Sequence, residues 1–236
     1  LQASNGDLWF GCDGAVNRLR GDEWTTFTRN DGVPEGWTRT MLELPGTNGQ
    51  PEIWIGTDAG IGRFDGSTWT EASRGTPLEG ASVRTLFIDD APGGRSEMRI
   101  GTDGKGLWSM EAPFRGSPVR DESFPAASAF CCVRTRGATG SSGSAGELLA
   151  GTETGIVRAS ASGWQPVDVV EGRTFSVRCL LQTRSSSGDS ILWAGTYDNG
   201  LLVRERGLWT VYDSSTGLPH DKIDCLMSGE NGDGVA

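Results

Sequence analysis

One histidine, five cysteines and 31 acidic side chains are the groups in this chain of 236 residues with the most obvious chemical potential. A single imidazole, His220, rules out a multi-histidine metal site and leaves one candidate catalytic base. It sits in the turn Pro219-His220-Asp221, where exposed polar residues are ordinary. Catalysis there would need a nucleophile and an orienting group brought from elsewhere in the chain. The stretch WIGTDAGIGRFDGSTW, from Trp54 to Trp69, offers a second chemistry. Its apolar run, closely spaced glycines and Asp58 are ingredients of a phosphate-binding turn. A dinucleotide fingerprint, however, needs a helix to open after the last glycine. Here Gly62 is followed by Arg63-Phe64-Asp65-Gly66, a short strand and another turn.

The stretch is instead one copy of a repeat. LWFGCDGAVNRLRGDEW from Leu8, MRIGTDGKGLWSMEAPF from Met98, LLAGTETGIVRASASGW from Leu148 and LWAGTYDNGLLVRERGLW from Leu192 are its relatives. The glycine closing the first strand falls at Gly11, Gly56, Gly101, Gly151 and Gly195, at spacings of 45, 45, 50 and 44. An aromatic keeps the same phase at Trp24, Trp69, Phe114, Trp164 and Trp209. Each unit reads as four short strands; in the second these are Glu52–Thr57, Gly60–Phe64, Thr68–Ala72 and Ser82–Asp89. Alternating apolar and polar residues between Gly, Asp, Asn and Ser turns specify hairpins, and no unit has sustained helical periodicity. The expected fold is all-β: a β-propeller of four-stranded antiparallel blades in five repeats, approximately 1–44, 45–89, 90–135, 136–183 and 184–236. Those repeats form a single domain. Either they close a five-bladed ring, with residues 222–228 completing the first repeat, or they are a fragment of a larger propeller. The insertion Gly137–Ser144 reads as a surface loop.

The run (L/I)W-x-G-T-D-x-G-(I/L)-x-R-F-D-G-x-x-W, followed by turns such as Asp31-Gly32-Val33-Pro34 and Thr216-Gly217-Leu218-Pro219 and then a V-R-x-L strand, resembles the two-component regulator propeller repeats of bacterial sensor proteins. The likeness spans residues 7–228, with Arg99 and Leu149 standing where other units have Trp. It implies a non-enzymatic sensor or ligand-binding module, periplasmic or otherwise extracytoplasmic, that passes a binding event to an output domain.

Bulk properties narrow the partners. The net charge is −10, and Lys105 and Lys222 are the only lysines, so neither nucleic acid nor an anionic membrane is an expected partner. No apolar run approaches the ~18 residues of a membrane span. Leu1–Asp7 is polar, without an initiator methionine or a signal-peptide core, so the chain reads as part of something longer. Cys12 stands where other units have Thr57, Thr102, Thr152 and Thr196, and Cys131, Cys179 and Cys225 match Thr40 and Thr85. The cysteines are therefore expected as packed free thiols rather than ligands or disulfides. No cofactor and no metal site is expected. Seven tryptophans sit at the two repeat landmarks and are expected in the core, with Trp37 and Trp108 off the pattern.

Antiparallel alternation places the turn after the G-T-D strand and the turn before the V-R-x-L strand on one face. That face gathers Asp13, Asp58, Asp103, Glu153 and Asp198, and a second ring of Arg39, Arg84, Phe130, Arg178 and Asp224. Asp before Gly also favours a tight turn, and arginines in a blade interface also pair with neighbouring carboxylates. The functional alternative is an axial mouth for a small polar or anionic ligand, carbohydrates included, or for an adjacent domain. It is lined by Arg39, Arg84, Arg178, Asp58, Asp103, Trp37 and His220 and anchored by bidentate arginines. It requires that the arginines not be consumed by ion pairs. A propeller lyase or glycosidase, or a plain interaction scaffold, is the competing function. The turn Asp65-Gly66-Ser67-Thr68-Trp69 comes within one residue of a sialidase-type turn, and any ring of carboxylates offers acid–base pairs.

Overall fold

Strand-length alternation punctuated by glycine turns produces sheets that run in chain order. The computed structural model describes residues 1–46, 49–90, 96–136 and 146–228; the insertion at 137–144 lies outside them. The first sheet joins β1 (Leu8–Gly11), β2 (Ala15–Arg20) and β3 (Glu23–Thr28). The second joins β4 (Thr38–Pro45), β5 (Pro51–Thr57), β6 (Gly60–Phe64) and β7 (Trp69–Glu71). The third contains β8 (Val83–Asp90), β9 (Ser96–Thr102), β10 (Leu107–Glu111) and β11 (Val119–Arg120). The fourth contains β12 (Ala129–Arg134), β13 (Leu148–Thr152), β14 (Ile156–Ser160) and β15 (Gly163–Val167). The fifth is β16 (Val177–Arg184), β17 (Ser190–Thr196), β18 (Leu201–Glu205) and β19 (Leu208–Tyr212). The fold is all-β, built of antiparallel propeller blades.

The sheets are out of phase with the repeat as read from sequence. Residues 82–89, grouped with the three strands before them, belong to β8, which opens the third sheet. Connection length explains the shift. Five residues separate β8 from β9, a hairpin span, whereas eleven separate β7 from β8.

The chain divides into two compact units. One comprises Leu1–Ile88 with Glu97–Arg120, the other Asp89–Ser96 with Asp121–Ala236. In the first, Trp9, Phe64, Trp69, Ile53 and Ile55 form one buried cluster, with Phe27 packed against it. Trp54, Ile61, Leu78, Val83, Ile100 and Trp108 form another. Trp108, off the repeat pattern, is thus core, and its Nε1 donates to the Lys105 carbonyl at 2.8 Å. In the second unit Leu149, Ile156, Phe175, Val177, Ala194 and Leu202 form the centre, with Trp209 at its margin.

Trp24 departs from expectation: it is 61% exposed. Register puts it opposite Leu19, which faces Leu8, on the side of the first sheet away from Trp9. There it meets Phe10 at 5.3 Å between ring centroids, and the pair stays outside the buried clusters.

The landmark glycine has a packing cause. A Cβ on Gly56 would lie 2.6 Å from Val83 Cγ1; on Gly151, 2.8 Å from Val177 Cγ1; on Gly195, 2.6 Å from Ile223 Cγ2. At Gly56 and Gly151 the first residue of the following strand, β8 or β16, fills the space a side chain would take, and at Gly195 Ile223, outside any strand, does the same. Thr40, Cys131 and Cys179 press on these same three glycines, so Thr and Cys do exchange at one packed position. All five thiols are free. Burial pushes Cys179 up to about 12, leaving it a poor nucleophile.

At the start of the chain, Gln2 bridges Leu8 and the Leu1 carbonyl accepts the Trp9 N–H. Residues 222–227 form no strand, though the Ile223 N–H donates to the Thr196 carbonyl at 2.8 Å. The carboxylate of Glu52, 3% exposed, is held by Arg63 and Arg115. Burial pushes its pKa up, and these two guanidiniums reverse that, leaving it below the ordinary value.

Candidate functional site

Three inner strands begin with the same irregularity. Pairing skips one residue between Thr38 and Thr40, between Ala129 and Cys131, and between Val177 and Cys179. The residues left over are Arg39, Phe130 and Arg178. A bulge re-aims its extra side chain, so these positions turn away from the ladder that their neighbours share.

In the second sheet the bulged arginine meets a carboxylate. Arg39 donates through Nε to Asp58 Oδ1 at 2.8 Å and through Nη2 to Oδ2 at 2.7 Å. Ser82 adds an O–H donor at 3.2 Å, and the Asp58 N–H donates to the Trp37 carbonyl at 3.2 Å. These hydrogen bonds, Arg39 foremost, hold the Asp58 carboxyl below its usual range and raise the guanidinium. Trp37, 53% exposed, stands beside this pair. Arg39 is therefore consumed by an ion pair, against what an arginine-lined mouth requires. Asp103 repeats the backbone bond, its N–H donating to Ser82 at 2.9 Å, and Arg84 lies half-buried on β8.

The second unit varies the pattern. The backbone position of Asp58 and Asp103 is taken there by Tyr197, whose N–H donates to the Ser176 carbonyl at 2.9 Å. Asp198, placed in the acidic ring by sequence, is one residue further along. Turn length is not the cause: Gly101-Thr102-Asp103-Gly104-Lys105-Gly106 has the same six residues as Gly195-Thr196-Tyr197-Asp198-Asn199-Gly200 and keeps its aspartate after the threonine, so the fifth sheet carries a tyrosine in the aspartate's place.

Arg178 consequently meets rings instead of a carboxylate. Its Cζ lies 4.0 Å from the Phe130 ring centroid and 4.8 Å from that of Tyr197. Its Nε is sealed from solvent and has no hydrogen-bond partner, and among the described residues no carboxylate pairs with it. Lys222 Nζ stands 5.5 Å from the Tyr197 centroid and is paired with Asp224 at 2.8 Å. Tyr197 itself is 49% exposed. Sequence reasoning placed Arg178 and Phe130 in one ring but missed Tyr197 and Lys222 beside them. The signals were a tyrosine after Thr196, where Thr57 and Thr102 are followed by aspartate, and a phenylalanine in an arginine position.

The remaining candidates are local. His220 is exposed, and its Nδ1 accepts the Lys222 N–H at 2.9 Å. Glu153 accepts from the backbone N–H groups of Ala127 and Ser128 at 2.8 and 2.9 Å. Asp65 accepts from the backbone and hydroxyls of Ser67 and Thr68, which hold it well below the carboxylate range. The sialidase-like turn thus spends its carboxylate on its own geometry. Among the described residues no group of three or more His, Cys, Asp or Glu side chains could hold a metal ion. No helix among them is long and apolar enough to cross a membrane.

The chain matches no protein-family model and no curated protein. Solved structures are similar in fold. The extracellular domain of BT3049, described as part of a hybrid two component system of B. thetaiotaomicron, superposes with a TM-score of 0.69 at 21% identity over 98% of this chain. The extracellular domain of BT4673 from the same organism, described as a one component system, gives 0.60 at 17% over 98%. This chain spans 31% and 36% of those two, about a third of their length. BBS1N, crystallised in complex with ARL6DN and soaked with mercury, gives 0.57 at 10% identity, covering 98% of this chain and 69% of that one. One architecture therefore serves quite different proteins, and function must be argued from the site.

Proposed function

We propose that this chain is a non-enzymatic ligand-binding module of a bacterial sensor protein, acting outside the cytoplasm. The observation that carries the reading is Arg178, a bulged guanidinium clasped by Phe130 and Tyr197 and lacking the carboxylate that its counterpart Arg39 has. An oriented, unpaired arginine beside a half-exposed tyrosine is a ready anchor for a small polar or anionic ligand. Likeness in fold to the extracellular domains of two B. thetaiotaomicron signalling systems supports the sensor role and the location. Signalling then follows from population shift, with ligand favouring one arrangement of the receptor.

A thermal-shift screen of sugars and organic acids tests the proposal. Stabilisation by one chemical class, lost in Arg178→Ala, is the expected result. Absence of any shift across the screen would favour a protein-interaction scaffold.

A further inference from the structure

We infer that the group recognised at Arg178 is a ligand carboxylate, supplying from outside the charge partner that the protein's own aspartate supplies in a sister blade; this rests on the ligand-binding reading above. The second sheet displays the occupied form. There Asp58 follows the G-T strand end, and its two oxygens meet Nε and Nη2 of the bulged Arg39. In the fifth sheet the same backbone position, marked by the same hydrogen bond to the residue two before the arginine, carries Tyr197. The aspartate is not merely removed. An aromatic ring replaces it, and a second ring, Phe130, occupies the bulge position of the neighbouring sheet.

Two rings hold the guanidinium plane by cation–π attraction without satisfying its N–H groups. The Nε is sealed and without a partner, while Arg178 as a whole is only half-buried. A guanidinium fixed in this way presents a planar fork matched to a carboxylate, and its ordering is complete before ligand arrives. The nearby acid, Asp224, is engaged by Lys222 at 2.8 Å, and Lys222 adds positive charge on Tyr197. The site thus offers a net attraction for an anion within a chain of net charge −10.

The decisive variant restores the sister blade: Tyr197→Asp supplies an internal carboxylate to Arg178. Isothermal titration of the wild-type chain is run with D-glucuronate, acetate and D-glucose, separating a sugar acid, a bare carboxylate and a neutral ring. D-Glucuronate or acetate is expected to bind and D-glucose not to. Affinity should fall at least tenfold in Tyr197→Asp and in Arg178→Gln, with both variants folded by circular dichroism. Tyr197→Phe, which keeps the ring, should bind within threefold of wild type. Binding of D-glucose alone, or undiminished acid binding in Tyr197→Asp, overturns the carboxylate assignment and leaves the ligand-binding reading in place. Heat from none of the three probes overturns the assignment; if the broader screen is also silent, the ligand-binding reading falls with it.

Discussion

Val83 occupies the volume that a side chain on Gly56 would need: a Cβ built there stands 2.6 Å from Val83 Cγ1 and 3.0 Å from the Val83 carbonyl oxygen. The second contact is backbone and cannot rotate away. Gly56→Ala should therefore destabilise by about 1–3 kcal/mol through overpacking, read as a lower midpoint of urea unfolding. An unchanged midpoint would mean that the inner strands do not set blade spacing.

Glu52 accepts from Arg63 at 2.9 Å twice and from Arg115 at 2.6 Å. Glu52→Gln removes the charge that both guanidiniums share. The expected cost is about 3 kcal/mol, toward the low end for breaking a buried pair because Arg115 is partly solvated. Chemical denaturation of the variant measures it.

Asp7, Glu52 and Asp58 all have carboxyl pKa values lowered in the folded chain, by Arg20, by Arg63 with Arg115, and by Arg39. A depressed folded pKa adds stability that is complete above the unfolded value and lost as pH falls through the folded one. Melting temperature should therefore hold from pH 7 to about 5 and drop progressively below the ordinary carboxylate values of ~4. Glu52→Gln should flatten that drop. A melting temperature that rises on acidification would contradict the sign.

Trp9 and Trp24 test the two faces of the first sheet. Trp9 is 3% exposed against Phe27, Phe64 and Trp69, and Trp24 is 61% exposed. Trp9→Ala should cost about 3–5 kcal/mol, and Trp24→Ala about 0.5 kcal/mol or less. Equal losses would mean that the Phe10–Trp24 face is covered in solution.

Much of the architecture was legible because glycine and tryptophan recur in phase, each tied to one packing event repeated along the chain. Gly60–Phe64 matches β6 residue for residue. Sheet membership was not legible, since strands of like composition pair by connection length rather than type. Trp24 shares its repeat position with Trp69, yet burial depends on what covers the face, which no local pattern encodes. At the candidate site, Arg39 and Arg178 look equivalent in sequence. Their difference arises from Tyr197, which stands where Asp58 and Asp103 do, and from Phe130, distant in sequence and joined to Arg178 only by the fold. The bulges that aim all three side chains leave no compositional mark.

The central claim, that Arg178 is held open for a ligand carboxylate, is met most directly by NMR of arginine side chains. The Arg178 Nε–H signal, assigned by its loss in Arg178→Gln, is followed during titration with D-glucuronate and with D-glucose. A saturable shift of that signal with the acid, absent with the neutral sugar and absent for Arg39, is the predicted result. A signal that stays fixed with both, or moves equally with both, would contradict the account.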